Sequence, residues 1–325
     1  MNSGCISYGG KLIAVFMLFK VITSSLYAQD PYFSQFFANR LYLNPSWAGV
    51  GEESRRFFAG YRNQWPGMDK AYITYTASYD QYIEHLNGGI GIQVMNDAQG
   101  GGNLQELGIS AIYSYHFNLS RELTVNAGLQ AGFVQRKLNT SGFTMEVPGE
   151  QLATQKKDFP DFSTGISAFY KNYYGGVSMF HLLRPWQTES RNAESRLPRK
   201  LIFYAGGMIP VYEKRLGKEV LQLSPNFIYI HQKNSIQLNY GVEGLFKNQY
   251  LTGVWLRQNL GIRINSLIVS AGYVTREFRL RYSYDLLVSS PVVNLPSLST
   301  HEISLILTPD GEKKKKHKAI KCPKI

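Results

Sequence analysis

Cysteine is nearly missing from this chain: of 325 residues, only Cys5 and Cys322 carry a thiol. Cys5 falls in an N-terminal stretch that reads as an export signal, so one thiol is expected in the mature chain. One thiol closes no internal disulfide and excludes a cysteine-based metal site. Histidine offers no metal site either. The six, at positions 85, 116, 181, 231, 301 and 317, are scattered, and no pair has ligand spacing. No metal, cofactor or catalytic residue set is therefore expected, and the chain is read as not an enzyme.

Long apolar runs are lacking as well. Beyond residue 28, nothing approaches the ~18 apolar residues of a spanning helix. Acidic residues are in deficit, with 23 Asp and Glu against 35 Lys and Arg, a formal net charge of +12. Such a balance often means nucleic acid. The export signal and the absence of any recognition module speak against that, so no nucleic-acid partner is expected.

The export signal occupies residues 1–28. Lys11 supplies the positive region, Leu12 to Ile22 the apolar one, and Ala28 a small residue before the cut. The apolar run is too short for a membrane anchor of ~20 residues.

Aromatic residues, by contrast, are plentiful, with 22 Tyr and 18 Phe beside 30 Gly. In an exported chain without apolar runs, that composition fits a transmembrane β-barrel. Alternation strengthens the reading. AYITYTASYD sets Ile73, Tyr75, Ala77 and Tyr79 against Thr74, Thr76, Ser78 and Asp80. FRLRYSYDL sets Phe278, Leu280, Tyr282, Tyr284 and Leu286 against Arg279, Arg281, Ser283 and Asp285. Successive side chains of a strand point to opposite faces, so a period of two reads as strand.

Fourteen such segments are expected: 55–63, 71–82, 88–97, 104–117, 121–137, 161–170, 173–181, 200–211, 220–231, 235–246, 250–257, 265–274, 278–288 and 301–307. Many reach the ~9–11 residues of a tilted strand crossing a bilayer. Alternate connections differ in length. Residues 139–160, 182–199 and 289–300 form long ones on one side, while most of those on the other, 83–87, 118–120, 171–172, 212–219, 247–249 and 275–277, are short. Long loops outside and short turns in the periplasm are the habit of outer-membrane barrels. The expected fold is all-β, a transmembrane antiparallel barrel of about 14 strands over 55–308. A β-sandwich alternates too, but it buries its apolar faces against each other. Here closure into a barrel turns the apolar face to lipid and leaves no open edge. Arg279, Arg281, Asp285 and Glu243 are then lumenal.

Other motifs are weak. GGIGIQVMND (88–97) lacks the spacing of a phosphate loop, and its glycines suit strand curvature or room in the lumen. Ser178 and His181, three apart on one strand, point to opposite faces. The tail at 309–325 carries seven lysines between Lys313 and Lys324. It reads as a solvated charge run or as a basic periplasmic tether.

The stretch QDPYFSQFFANRLYLNPSWAGV (29–50) lacks alternation. Asp30-Pro31 reads as a cap and first helical position. Phe33, Phe36 and Phe37 are spaced to share a helical face, and the helix must stop before Asn44-Pro45. A short aromatic helix and turn are expected within 29–54. Its stripe must be buried, in the periplasmic mouth of the barrel as a plug or against a partner. Phe33, Phe36, Phe37, Tyr42, Asn44, Pro45 and Trp47 are the candidate partner-binding residues.

QDPYFSQFFANRLYLNPSWAG, GYRNQWPG, YTASYDQY, GGIGIQVMNDAQGGG, YSYHFNLSRELTVNAGLQAGFVQRKL, RLPRK, FRLRYSYD and THEISL, in that order, resemble the PorP/SprF family of outer-membrane proteins. That family serves the type IX secretion and gliding machinery of Bacteroidetes-type bacteria. The resemblance implies a noncatalytic barrel in the outer membrane of such a Gram-negative cell. It implies a role in export or surface anchoring of adhesin-like cargo with a C-terminal secretion domain. It also implies contact with periplasmic parts of the machine, including a peptidoglycan-binding lipoprotein. The tail at 310–325 departs from the family pattern. A passive porin is the alternative, with Arg279 and Arg281 lining an anion-tolerant pore.

Overall fold

The computed structural model describes residues 30–51, 55–68, 71–140, 154–188, 195–214, 218–259, 264–288 and 299–309. The export signal, the lysine tail, Cys322 and most of the long connections lie outside the described residues. The chain divides into two units, Met1–Tyr32 and Phe33–Ile325. The three described residues of the first carry neither helix nor strand.

The second unit is a barrel with an internal segment. Its strands are β1 (Arg55–Gln64), β2 (Tyr72–Ile83), β3 (Gly88–Gln99), β4 (Leu104–Asn118), β5 (Leu123–Leu138), β6 (Gln155–Tyr170), β7 (Tyr173–Phe180), β8 (Lys200–Gly207), β9 (Ile209–Lys214), β10 (Lys218–Gln232), β11 (Ser235–Phe246), β12 (Tyr250–Asn259), β13 (Ile264–Val274), β14 (Phe278–Leu287) and β15 (Thr300–Leu307). Each pairs antiparallel with its neighbour, and β15 closes on β1 through Phe57 opposite Leu307 to Gln64 opposite Thr300. β8 and β9 are two halves of one stave, broken at Met208. Both pair with β10, β8 at Asn226 to Gln232 and β9 at Lys218 to Leu223. The cylinder is therefore a closed, fourteen-staved antiparallel barrel.

The alternation sets the faces as expected. Thr74, Thr76, Ser78 and Asp80 are buried in the lumen, while Tyr75 between them is 52% exposed. Arg281, Ser283 and Asp285 are buried and Leu280, Tyr282 and Leu286 face out. The outer wall carries Ile92, Val94, Leu107, Ile109, Leu129, Phe133, Ile166, Val254, Val269 and Ile303, all exposed. A continuous exposed apolar belt of this kind is the lipid-facing surface of a membrane barrel. Near the short turns, Phe117, Tyr170, Tyr173, Phe246, Tyr250 and Tyr273 ring the outside. That is where an aromatic girdle meets the membrane interface.

Two boundaries differ from the sequence reading. β6 starts at Gln155 rather than at 161, because β5 runs to Leu138 and holds it rung by rung, with Phe133 opposite Pro160 and Leu138 opposite Gln155. The proline that suggested the end of a loop lies inside the strand. The connection at 182–199 is also more ordered at its base than a bare loop. Trp186 bridges Arg196, the Leu197 amide donates to the Pro185 carbonyl at 2.9 Å, and the Arg196 guanidinium sits 4.1 Å over the Trp186 ring.

Candidate functional site

Residues 33–51 lie inside the lumen. The expected helix is cut down to one turn, α1 (Arg40–Leu43), followed by a 3-10 turn at Pro45–Trp47. Residues 33–39 are bends and turns instead. The cause is competition for backbone donors. The Ser34 and Gln35 amides donate to Glu302 on β15 at 2.7 and 3.2 Å, so Asp30-Pro31 starts no helix. Asn44 ends α1 in extended backbone (φ −160°) before Pro45, as the proline requires, and its Oδ1 accepts the Ser46 amide at 2.9 Å.

The aromatic residues do not share a helical face; Phe36, Phe37, Tyr42 and Trp47 each meet a ring on the wall, and Phe33 meets Tyr42. Phe36 lies 5.2 Å from Trp255, and Phe37 lies 5.5 Å from Tyr174 and 5.9 Å from Trp47. Trp47 packs on Phe169 and Tyr174, and its indole N–H donates to the Tyr204 hydroxyl. Phe33 stacks edge-on to Tyr42, whose ring and hydroxyl meet the Lys200 ammonium. Such offset and edge-on pairs add about 0.5–1.5 kcal/mol each beyond area burial. Of the seven candidate partner-binding residues, Phe33, Phe36, Phe37, Asn44, Pro45 and Trp47 are buried and Tyr42 is half-buried. All seven belong to this segment inside the barrel, for which the sequence reading leaves the periplasmic mouth or a partner open.

Its two ends meet opposite parts of the wall. The end at Phe33, Ser34 and Gln35 meets β12, β14 and β15. Arg257, Asp285 and Glu302 each stand two residues from the long-connection end of their strands. Arg257 donates to the Phe33 carbonyl at 2.9 Å and to Asp285 at 2.9 Å, and the Ser34 hydroxyl donates to Asp285. The Gln35 amide donates to the Glu302 carbonyl at 2.9 Å and accepts from Ser304.

The end at residues 44–50 meets β2 to β8, nearer the short turns. Asn44 Nδ2 donates to the carbonyls of Ile166 and Val177, both at 3.1 Å, and to Tyr204 at 3.0 Å. The Ser46 carbonyl accepts from Ser114 at 2.8 Å and Asn126 at 3.3 Å. The Ala48 carbonyl meets His116 at 3.0 Å. Asp80 pairs with Arg40, faces Arg56 at 3.7 Å and accepts the Gly49 amide at 2.9 Å.

Glycines make this seat possible. A Cβ on Gly89 would stand 2.0 Å from the Ala48 carbonyl oxygen, and one on Gly128 would stand 2.3 Å from the Ser46 nitrogen. The plug backbone touches the wall backbone at both places.

Further buried ion pairs complete the lumen. Arg281 pairs with Glu243 at 2.6 Å, which also takes the Trp255 indole at 3.2 Å, and Arg62 faces Glu302 at 3.9 Å. Ser178 donates to the Leu43 carbonyl at 2.7 Å, whereas His181 pairs with Asp161 at 2.9 Å. Alternation had placed Asp80, Glu243 and Asp285 in the lumen. It gave no sign of Ser34, Gln35, Ser46, Gly89 or Gly128 as the points of attachment.

The family model for the type IX secretion system membrane protein PorP/SprF matches residues 25–307. Among solved structures, the CymD monoaromatic hydrocarbon channel matches at 11% identity and a TM-score of 0.47, over 83% of this chain and 92% of that one. The toluene transporter TbuX of Ralstonia pickettii matches at 9% and 0.46, over 82% and 91%. The outer membrane protein Omp33 of Acinetobacter baumannii matches at 8% and 0.45, over 80% and 99%. No curated protein matches the chain.

Proposed function

The chain belongs to the PorP/SprF family of type IX secretion system membrane proteins, and we propose that it serves that system as a plugged, noncatalytic barrel that helps export or anchor adhesin-like cargo at the cell surface. The setting is the outer membrane of a Bacteroidetes-type bacterium. The long connections face outward and meet cargo bearing a C-terminal secretion domain. The short turns and the lysine tail face periplasmic machinery, including a peptidoglycan-binding lipoprotein.

The observation that carries this reading over a passive porin is the filled lumen. A pore needs a continuous water path, and residues 33–50 are buried across it with Tyr42 alone half-buried. The bonds that hold them are directed and many, so moving the segment aside means breaking several of them.

Affinity purification from native membranes with mass spectrometry tests the proposal. Co-purification of type IX components is the expected result. A preparation free of them, which also conducts steadily in planar bilayers, overturns it in favour of the porin.

A further inference from the structure

The end of the plug at Phe33, Ser34 and Gln35 is held through three of its backbone groups together with the side chains of Ser34 and Gln35. Two successive amides, of Ser34 and Gln35, donate to the two oxygens of one carboxylate, Glu302. The Phe33 carbonyl accepts from Arg257. The Ser34 hydroxyl donates to Asp285 and accepts from Arg257 at 3.1 Å, while the Gln35 side-chain amide donates to Ser283 at 3.3 Å and to the Glu302 carbonyl at 2.9 Å and accepts from Ser304.

The wall keeps its own shape for this task. Arg257 Nε donates to Asn239 Oδ1 at 3.0 Å and one terminal nitrogen to Asp285 at 2.9 Å, which aims the other at the peptide carbonyl. Asp285 is buried, and its Oδ1 has no hydrogen-bond partner among the described residues. One acceptor of the site is thus unused by the present occupant.

The other end of the plug is fastened differently. Residues 44–49 depend on close backbone contact at Gly89 and Gly128 and on a network around Tyr204. That fastening rests on close fit, whereas the first end is held mainly by hydrogen bonds.

We propose that the inner face of β12, β14 and β15 at Arg257, Asp285 and Glu302 is a receptor for a bent polypeptide segment, that Phe33, Ser34 and Gln35 are its self-supplied occupant, and that they leave it while residues 44–49 stay seated. The incoming ligand is a segment of another chain with small hydroxyl or amide side chains. It enters from the long-connection end, two residues from which all three charged groups lie. The assignment of that chain to secreted cargo rests on the proposed function above; the site itself does not.

The probe is a fluorescent peptide with the sequence PYFSQFFA, followed by anisotropy against the full-length protein in detergent. Ser34→Pro with Gln35→Pro removes both amide donors and frees the seat. This variant is expected to bind the peptide at least tenfold more tightly than the unaltered protein, and adding Glu302→Ala is expected to abolish the gain. A variant with normal heat-modifiable mobility and no gain overturns the proposal, as does a gain indifferent to Glu302→Ala.

A photo-crosslinking version of the peptide, at high excess over the unaltered protein, covers the case of a misfolded variant. Cross-links confined to β12–β15 are expected. Cross-links elsewhere, or none, refute the site. Peptide capture by a protein that purifies without type IX components would keep the receptor and remove the cargo.

Discussion

Asp80 on the wall and Arg40 on the plug form an ion pair buried from solvent, and the same carboxylate takes the Gly49 amide and faces Arg56. One side chain thus joins the two ends of α1 and its following turn to β1 and β2. Removing a single partner of a buried pair strands the other charge.

Asp80→Ala is accordingly expected to destabilise the barrel by about 3–5 kcal/mol. Arg40→Met combined with Asp80→Ala should cost less than the sum of the two single changes, because the orphaned charge is gone. Urea unfolding in detergent, followed by tryptophan fluorescence, measures both.

Gly128→Val is expected to push the plug out of its seat, since a Cβ there meets the Ser46 nitrogen at 2.3 Å. Gly108→Ala is the matched control, with its nearest neighbour at 3.8 Å. Limited proteolysis between residues 33 and 51 should be fast in the first variant and unchanged in the second.

Conductance follows the plug. The unaltered protein should be electrically quiet in planar bilayers. Replacing Phe36, Phe37 and Trp47 together by alanine removes the rings that meet Trp255, Tyr174 and Phe169. Stepwise or fluctuating currents are expected from that variant.

The outer face answers to lipid alone. Leu129 is 64% exposed between buried or half-buried neighbours. Leu129→Lys should weaken insertion by ~2–4 kcal/mol if it lies near mid-depth, and a smaller penalty would place it near an interface. Gln130→Lys, on the lumenal face of the same strand, should leave insertion into liposomes nearly unchanged.

Most of the cylinder was legible in the sequence because a strand writes its two environments into adjacent letters. Tyr75 and Thr76 differ in polarity for that reason, and the fourteen segments follow. The plug was legible only as an exception. Its composition announced that aromatic residues needed cover, yet Ser34 finds Glu302 at a separation of 268 residues. No local pattern encodes such a pair. The helix expected from Asp30 failed for the same reason: local propensity favoured it, and a distant carboxylate took the amides that would have closed its first turn. The break at Met208 was likewise hidden, since 200–211 reads as one segment, and the Met208 amide still donates to the Asn172 carbonyl at 2.9 Å beside β7.

The staves are unequal, and the surrounding bilayer must answer for it. β5 and β6 have 16 residues each, while β7 and β15 have 8. At ~3.4 Å per residue and a tilt near 40°, the first pair stands ~40 Å tall and the second ~20 Å. An apolar band of ~25 Å is overshot at β5 and β6 and undershot at β7, their immediate neighbour, and at β15, on the opposite side of the ring. Lipid tails therefore compress beside β7 and β15 and relax beside β5, at a cost of fractions of a kcal/mol per Å of mismatch. A neighbour that shields either low stave relieves the compression there, so the barrel offers an assembly two preferred sides, facing opposite ways.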